Sequence, residues 1–171
     1  METKPADRPI YAVIAVWHRG AKTFYVKRSE RMANYPLVWS LMSIQFEPTT
    51  VEPLDLASIQ PLMDRMAGER LCGASVRIAR YLSSANCADN TMGRRVFLHL
   101  YEVQLDTEPS LNPGYYVDAA WLEPDEYELR SKGAACGLCL RMWSDYCVRN
   151  HLTDRRFAPS VPQDDRDEAA A

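Results

Sequence analysis

Two β-type runs open the chain back to back, and this opening limits the fold more than any other feature. Tyr11-Ala-Val-Ile-Ala-Val-Trp17 is β-branched and apolar, His18-Arg-Gly-Ala21 has the residues of a turn, and Thr23-Phe-Tyr-Val-Lys-Arg28 is a second such run. Together they predict a hairpin. Leu37 to Phe46, aliphatic and containing Trp39, predicts a third strand, closed by the loop residues Glu47 to Pro53. The period then changes. Leu56, Ile59, Met63, Met66 and Leu71 recur at helical spacing, and because proline is costly beyond a helix's first turn, Pro61 sets the predicted helix at about Gln60 to Leu71. Val76 to Leu82 and Arg95 to Leu105 alternate as strands around a long polar hairpin loop, Ser83 to Gly93. Tyr115 to Leu122 predicts a short strand, Glu123-Pro-Asp-Glu126 a helix start by its acidic first turn, and Ala134 to His151 a last helix. The order is β-β-β-α-β-β-β-α-α, an α/β (α+β) chain with no evident internal repeat.

With 171 residues, 47% of them hydrophobic, the chain is long and apolar enough for one globular domain with a real core. That domain is expected over 9–157, with residues 1–8 and the acidic, proline-interrupted 158–171 disordered. The net charge is −3, and 151–171 alone hold five acids against three arginines, so the body is close to neutral. A near-neutral body lacks the basic footprint that releases counterions from a phosphate backbone, which argues against a nucleic-acid partner. Nowhere do about 18 apolar residues run unbroken, and Met1 to Pro9 has no apolar centre for a signal peptide. No membrane partner is expected, and a cytoplasmic location is. Five cysteines, an odd number set among apolar neighbours, read as reduced thiols.

Cys136-Gly-Leu-Cys139, Cys147 and His151 spell C-x2-C-x7-C-x3-H, ligand types that suit zinc in a loop. On one helix, however, Cys136 and Cys147 stand about 16 Å apart along the axis, too far for one tetrahedral ion. Positions 136, 139, 143, 147 and 150 instead trace a buried stripe with Trp143, and no metal site is assigned. His99 shares a strand face with Phe97 and Tyr101, as a hydrogen-bonded histidine facing a pocket or as a general acid or base. His18 reads as a solvated turn residue. Glu47 and Glu52 are solvated loop acids, or they hold a cation or act as a base. At the end of the helix Arg70 neutralises local carbonyls, and Glu69 pairs with Arg28 or Arg65 or takes a chemical role itself. Arg94-Arg95 is either a surface charge pair or a bidentate phosphate clamp. Trp39, Tyr101 and Tyr116 belong to the core, or they stack on a flat ligand. Cys72 and Cys87 have no His–Asp arrangement beside them, so no nucleophile is assigned.

Several separated landmarks resemble the Nudix fold: the opening runs ending in Val26-Lys-Arg-Ser29, then Trp39-Ser-Leu41, then His99-Leu-Tyr-Glu102, then Ala120-Trp-Leu-Glu-Pro-Asp-Glu126 before a closing helix. The resemblance implies a Nudix-like α/β/α sandwich with a mixed sheet. The family's signature, G-x5-E-x7-R-E-U-x-E-E-x-G-U with U aliphatic, is where the chain departs. No glycine lies between Gly20 and Gly68, and no ungapped register puts R-E and E-E on Leu62-Met-Asp-Arg-Met-Ala-Gly-Glu-Arg-Leu71. In the family, glutamates one helical turn apart hold divalent cations that polarise a diphosphate and activate water. Here Asp64 and Glu69 are five apart, about 140° from alignment. The expected function is therefore to bind a small nucleotide-like or phosphorylated metabolite, and to transform it, if at all, by metal-independent acid–base chemistry. Binding candidates are Arg28, Trp39, Gln45, Arg94, Tyr101 and Tyr116; catalytic candidates, none assigned a role, are His99, Glu47 and Glu69. One alternative is a divergent pyrophosphohydrolase drawing magnesium ligands from Glu47, Glu52, Asp64 and Glu69; another is a non-catalytic interaction module. Whether the chain is an enzyme stays open. No cofactor is expected outside the magnesium of the hydrolase reading, and a homodimer is allowed.

Overall fold

The computed structural model describes residues 9–33, 35–47, 55–89, 94–123, 138–150 and 152. The expected tails, Glu52, Gly93, residues 124–126, Cys136 and His151 lie outside them, as does the side chain of Cys87. Among the described residues, β1 (Ile10–Val16), β2 (His18–Arg19), β3 (Lys22–Arg28), β4 (Trp39–Ser40), β5 (Met42–Phe46), α1 (Leu56–Arg70), β6 (Val76–Asp89), β7 (Arg94–Leu105), β8 (Tyr116–Leu122) and α2 (Leu138–Arg149) follow in order. One sheet runs β5-β1-β7-β6, mixed because β1 and β7 are parallel. In the other, β3 pairs with β8 along one edge and with β2 and β4 along the other.

The apolar opening run forms a strand covered on both faces, as its lack of polar alternation requires. Val13 and Ala15 join Ile59, Met63 and Met66 of α1 in one core. Ile10, Ala12, Ile14 and Val16 join Leu140, Trp143 and Cys147 of α2 in the other. The mixed sheet thus lies between two helices, the α/β/α layering that the landmarks implied. No helix among the described residues is long and apolar enough to cross a membrane.

Four local expectations change. The predicted hairpin exists only at its turn, where His18 pairs with Thr23 and the Phe24 N–H donates to the Trp17 carbonyl at 2.9 Å. Beyond it β1 and β3 part into different sheets, because β1 finds β5 and β7 as neighbours. The predicted third strand is likewise two strands: Trp39–Ser40 pairs with β3 and Met42–Phe46 with β1, with buried Leu41 between them. The polar stretch from Ser83 onward is a continuation of β6, paired with β7 as far as Asp89 and Arg94. It reads as loop because Ser83 to Asn86 are small or polar, and Ser84 and Asn86 stand exposed. Finally, α1 starts at Leu56 and puts Pro61 inside the helix. The loss of that N–H is offset at the N-terminus. Asp55 accepts from the Ala57 N–H at 3.1 Å and from the Ser58 hydroxyl at 2.6 Å, and these bonds hold its carboxyl below the ordinary range.

The last helix is shorter among the described residues than predicted, and its stripe differs. Trp143 and Cys147 are buried, whereas Asn150 is exposed and Leu140 and Met142 take the remaining inward places. Burial pushes the Cys147 thiol up to about 12, so this sulfur behaves as a small apolar group rather than a ligand.

Candidate functional site

A cleft of about 250 Å³ opens where the end of β3, the outward side of β5 and the last two turns of α1 meet. Among the described residues, nine line it: Arg28, Met32, Ala33, Ser43, Ile44, Gln45, Arg65, Glu69 and Arg70. The alternation of β5 explains its share. Met42, Ile44 and Phe46 turn into the core, which leaves Ser43 and Gln45 on the other side. Helical spacing explains α1's share, since Arg65 and Glu69 are four apart on one face while Met63, Met66 and Ala67 are buried.

Arg70 fixes the back of the cleft. Its Nη1 donates to the Ser43 carbonyl in a short bond and lies 3.4 Å from the Tyr116 hydroxyl, and its guanidinium sits 4.8 Å above the Tyr115 ring. The Tyr116 hydroxyl also accepts from the Ser43 N–H at 3.2 Å, so α1, β5 and β8 meet at one polar knot. Arg70 Nε is buried and has no hydrogen-bond partner among the described residues. Asn112 closes the end of α1: its N–H donates to the Arg70 carbonyl at 2.9 Å and its side-chain amide to the Glu69 carbonyl at 2.7 Å. At the rim, Arg65 donates to the Gln45 carbonyl at 2.7 Å and stands 3.8 Å from the Glu69 carboxylate, both side chains well exposed. Burial lowers the pKa of Arg28 from its ordinary value; Tyr116 opposes that shift, and the charge of Arg70 adds to it.

The cleft brings together Arg28, Gln45 and Glu69 of the candidates read from the sequence, with Tyr116 behind them. Of the two partners considered for Glu69, Arg65 is the one it meets. The carbonyl that Arg70 reaches belongs to β5 rather than to its own helix. The remaining candidates stand elsewhere. Trp39 is buried in the core on the α2 side. Arg94 opens β7 opposite Asp89, and Glu47 is exposed at the end of β5. Tyr101 is fully buried in the core on the α1 side, and its hydroxyl has no partner among the described residues.

His99 occupies the same face of β7 as Tyr101, with its ring 6.4 Å from that of Phe46. Its Nδ1 is buried and unpartnered among the described residues, not hydrogen-bonded as expected, and burial lowers its pKa from the ordinary 6.5. The sign follows. The unfolded chain takes up a proton near pH 6.5 that the folded chain resists, so stability is full above that pH and falls as the pH drops below it. Urea unfolding at a series of pH values should show this fall, and His99→Gln should flatten it. An unchanged slope in the variant would refute this account. His18 also departs from expectation. It is half-buried in β2, 3.3 Å from the Glu102 carboxylate, which also accepts from Arg80.

No family model matches the chain, and no curated protein matches it. Solved structures do. A Nudix hydrolase from Nitrosomonas europaea aligns over 83% of this chain and 90% of its own, with a TM-score of 0.62 and 19% identity. A MutT protein from Methanosarcina mazei aligns over 84% and 96%, with a TM-score of 0.61 and 13% identity. The chain has the Nudix fold. A third structure with that fold, the Nudix domain of Shewanella oneidensis NrtR complexed with ADP ribose, aligns over 87% and 94%, with a TM-score of 0.54 and 12% identity. At such identities the likeness is one of fold, and activity has to be argued from the site.

The magnesium that the fold family implies is held, in the signature, by glutamates one helical turn apart that share one face. Among the described residues the cleft offers one, Glu69, facing Arg65. Asp64, on the same helix, accepts from the Gln60 amide at 2.8 Å and does not line the cleft. Nor do any three His, Cys, Asp or Glu side chains among the described residues stand close enough to hold an ion. Among the described residues this donor set lacks the paired carboxylates that would hold a divalent cation.

Proposed function

We propose that this chain is a Nudix-fold protein that binds a small nucleotide-like or phosphorylated metabolite in the cleft and does not carry out the standard magnesium-dependent hydrolysis. The carrying observation is the cleft's charge: among the described residues, three guanidiniums and one carboxylate line it. A cation there is repelled, and an anionic ligand is attracted. The signature's own spacing supports the reading. Gly73, which ends α1 with φ +80°, suits the signature's last glycine, and counting back from it puts Arg70 and Leu71 where the family has its paired glutamates. A guanidinium then stands where a cation ligand would be. The ADP ribose held by the NrtR domain is a ligand of the proposed class.

Thermal unfolding with ADP ribose, nucleotides, sugar nucleotides and prenyl diphosphates, each with and without magnesium, tests the reading. At least one of them is expected to raise the midpoint in the absence of magnesium, with no phosphate released, because a ligand stabilises by mass action whether or not it is turned over. Magnesium-dependent phosphate release would return the chain to the hydrolases. No shift with any ligand would favour an interaction module.

A further inference from the structure

The proposed function says that the cleft binds a metabolite; a narrower inference, resting on that reading, concerns how the ligand is held. We infer that Arg28 and Arg70, with Arg65 at the rim, take the ligand's phosphoryl groups directly on their guanidiniums, doing by hydrogen bonds what the signature's glutamates do through divalent cations. The ligand class is a dianionic phosphate ester or a diphosphate.

Three observations carry this. Among the described residues the lining holds three guanidiniums to one carboxylate, a balance that favours an anion. Arg28 and Arg70 are close enough for the charge of one to disfavour the charge of the other, a repulsion that an anion set between them relieves. Arg70 is also oriented before any ligand arrives. Ser43 and Tyr116 engage Nη1 and Tyr115 lies under the plane, so little rotamer freedom is left to lose on binding. The Nε of Arg70 is buried and has no partner among the described residues, so this arginine, which lines the cleft, keeps an unsatisfied donor.

The probe is inorganic pyrophosphate, titrated calorimetrically into the full chain in EDTA and then in magnesium. Binding is expected in EDTA, weakening as salt is raised. Arg28→Gln is expected to weaken it about tenfold to a hundredfold, the range for losing one charge-assisted contact. Should Arg28→Gln fail to fold by circular dichroism, the exposed Arg65→Gln carries the test, with an expected loss of severalfold. Binding in EDTA that both variants leave unchanged overturns the inference. Binding that requires magnesium, without hydrolysis, overturns it too and leaves the proposed function standing. No pyrophosphate binding under either condition also overturns it, while a nucleotide or sugar nucleotide that still shifts the unfolding midpoint without magnesium would keep the broader reading. Magnesium-dependent hydrolysis of pyrophosphate would sink both.

Discussion

Trp143→Ala is expected to destabilise the chain by about 3–5 kcal/mol, the range for removing a buried aromatic side chain from a core. Trp143 is 2% exposed and belongs to the cluster that seals α2 against the mixed sheet. Its indole N–H donates to the Thr23 hydroxyl at 3.0 Å, and its ring stacks on Tyr146 with centroids 5.7 Å apart. Alanine would leave a cavity between the helix and β3, and it would leave Thr23, only 1% exposed, without its donor. For a domain of this size each kcal/mol lowers the midpoint by roughly 2–4 °C, so a fall of about 10 °C should appear in a thermal scan. Trp143→Phe keeps most of the volume and loses the hydrogen bond, and should cost distinctly less. A loss under about 1 kcal/mol in Trp143→Ala would mean that α2 is not part of the cooperative unit.

Much of this architecture was legible because hydrophobic period reports burial. The run from Tyr11 to Trp17, the alternation from Arg95 to Leu105 and the inward residues Ile59, Met63 and Met66 all appear where the pattern put them. What period cannot report is which sheet a strand joins. The residues from Leu37 to Phe46 look like one strand because Trp39, Leu41, Met42 and Ile44 are all buried, yet the chain passes at Leu41 from one sheet to the other. Local rules also lose to stronger local contacts. Pro61 argued for a later helix start, but the Asp55 cap and the burial of Ile59 outweigh one missing hydrogen bond.

The site was legible in part, for the same reason. Arg28, Gln45 and Glu69 were candidates because a family resemblance and the nearby loop pointed to them, and the cleft contains all three. Arg70 was read as a helix-end charge and Ser43 was not singled out. Nothing in either segment announces the other: the bond between them spans 27 residues and exists only because α1 packs on β5. Aromatic candidates fared differently. Trp39 and Tyr101 are large strand residues, and the hydrophobic gain of burying them places them in the two cores rather than in the cleft.

Arg70→Met is the second large expected effect, at about 2–3 kcal/mol of stability. Methionine keeps the apolar stem of the side chain, so the loss isolates the guanidinium. Three contacts go with it: the charged bond to the Ser43 carbonyl, the approach to the Tyr116 hydroxyl and the stacking over Tyr115. A hydrogen bond from a charged donor contributes about 1.5–3 kcal/mol and an exposed cation–π contact about 0.5–1, with part of the total recovered where water reaches the half-buried carbonyl. Urea unfolding would measure the loss. Tyr116→Phe removes only the hydroxyl shared by Ser43 and Arg70, so its cost should overlap that of Arg70→Met, and the double variant should lose less than the two singles added together. Strict additivity would show that the knot does not act as a unit. The knot matters for the cleft because an arginine must be held before it can hold anything else. If Arg70→Met lost stability while Arg28→Gln bound pyrophosphate as the wild type does, Arg70 would be a strut between helix and sheet, and the ligand's charge would have to be met elsewhere.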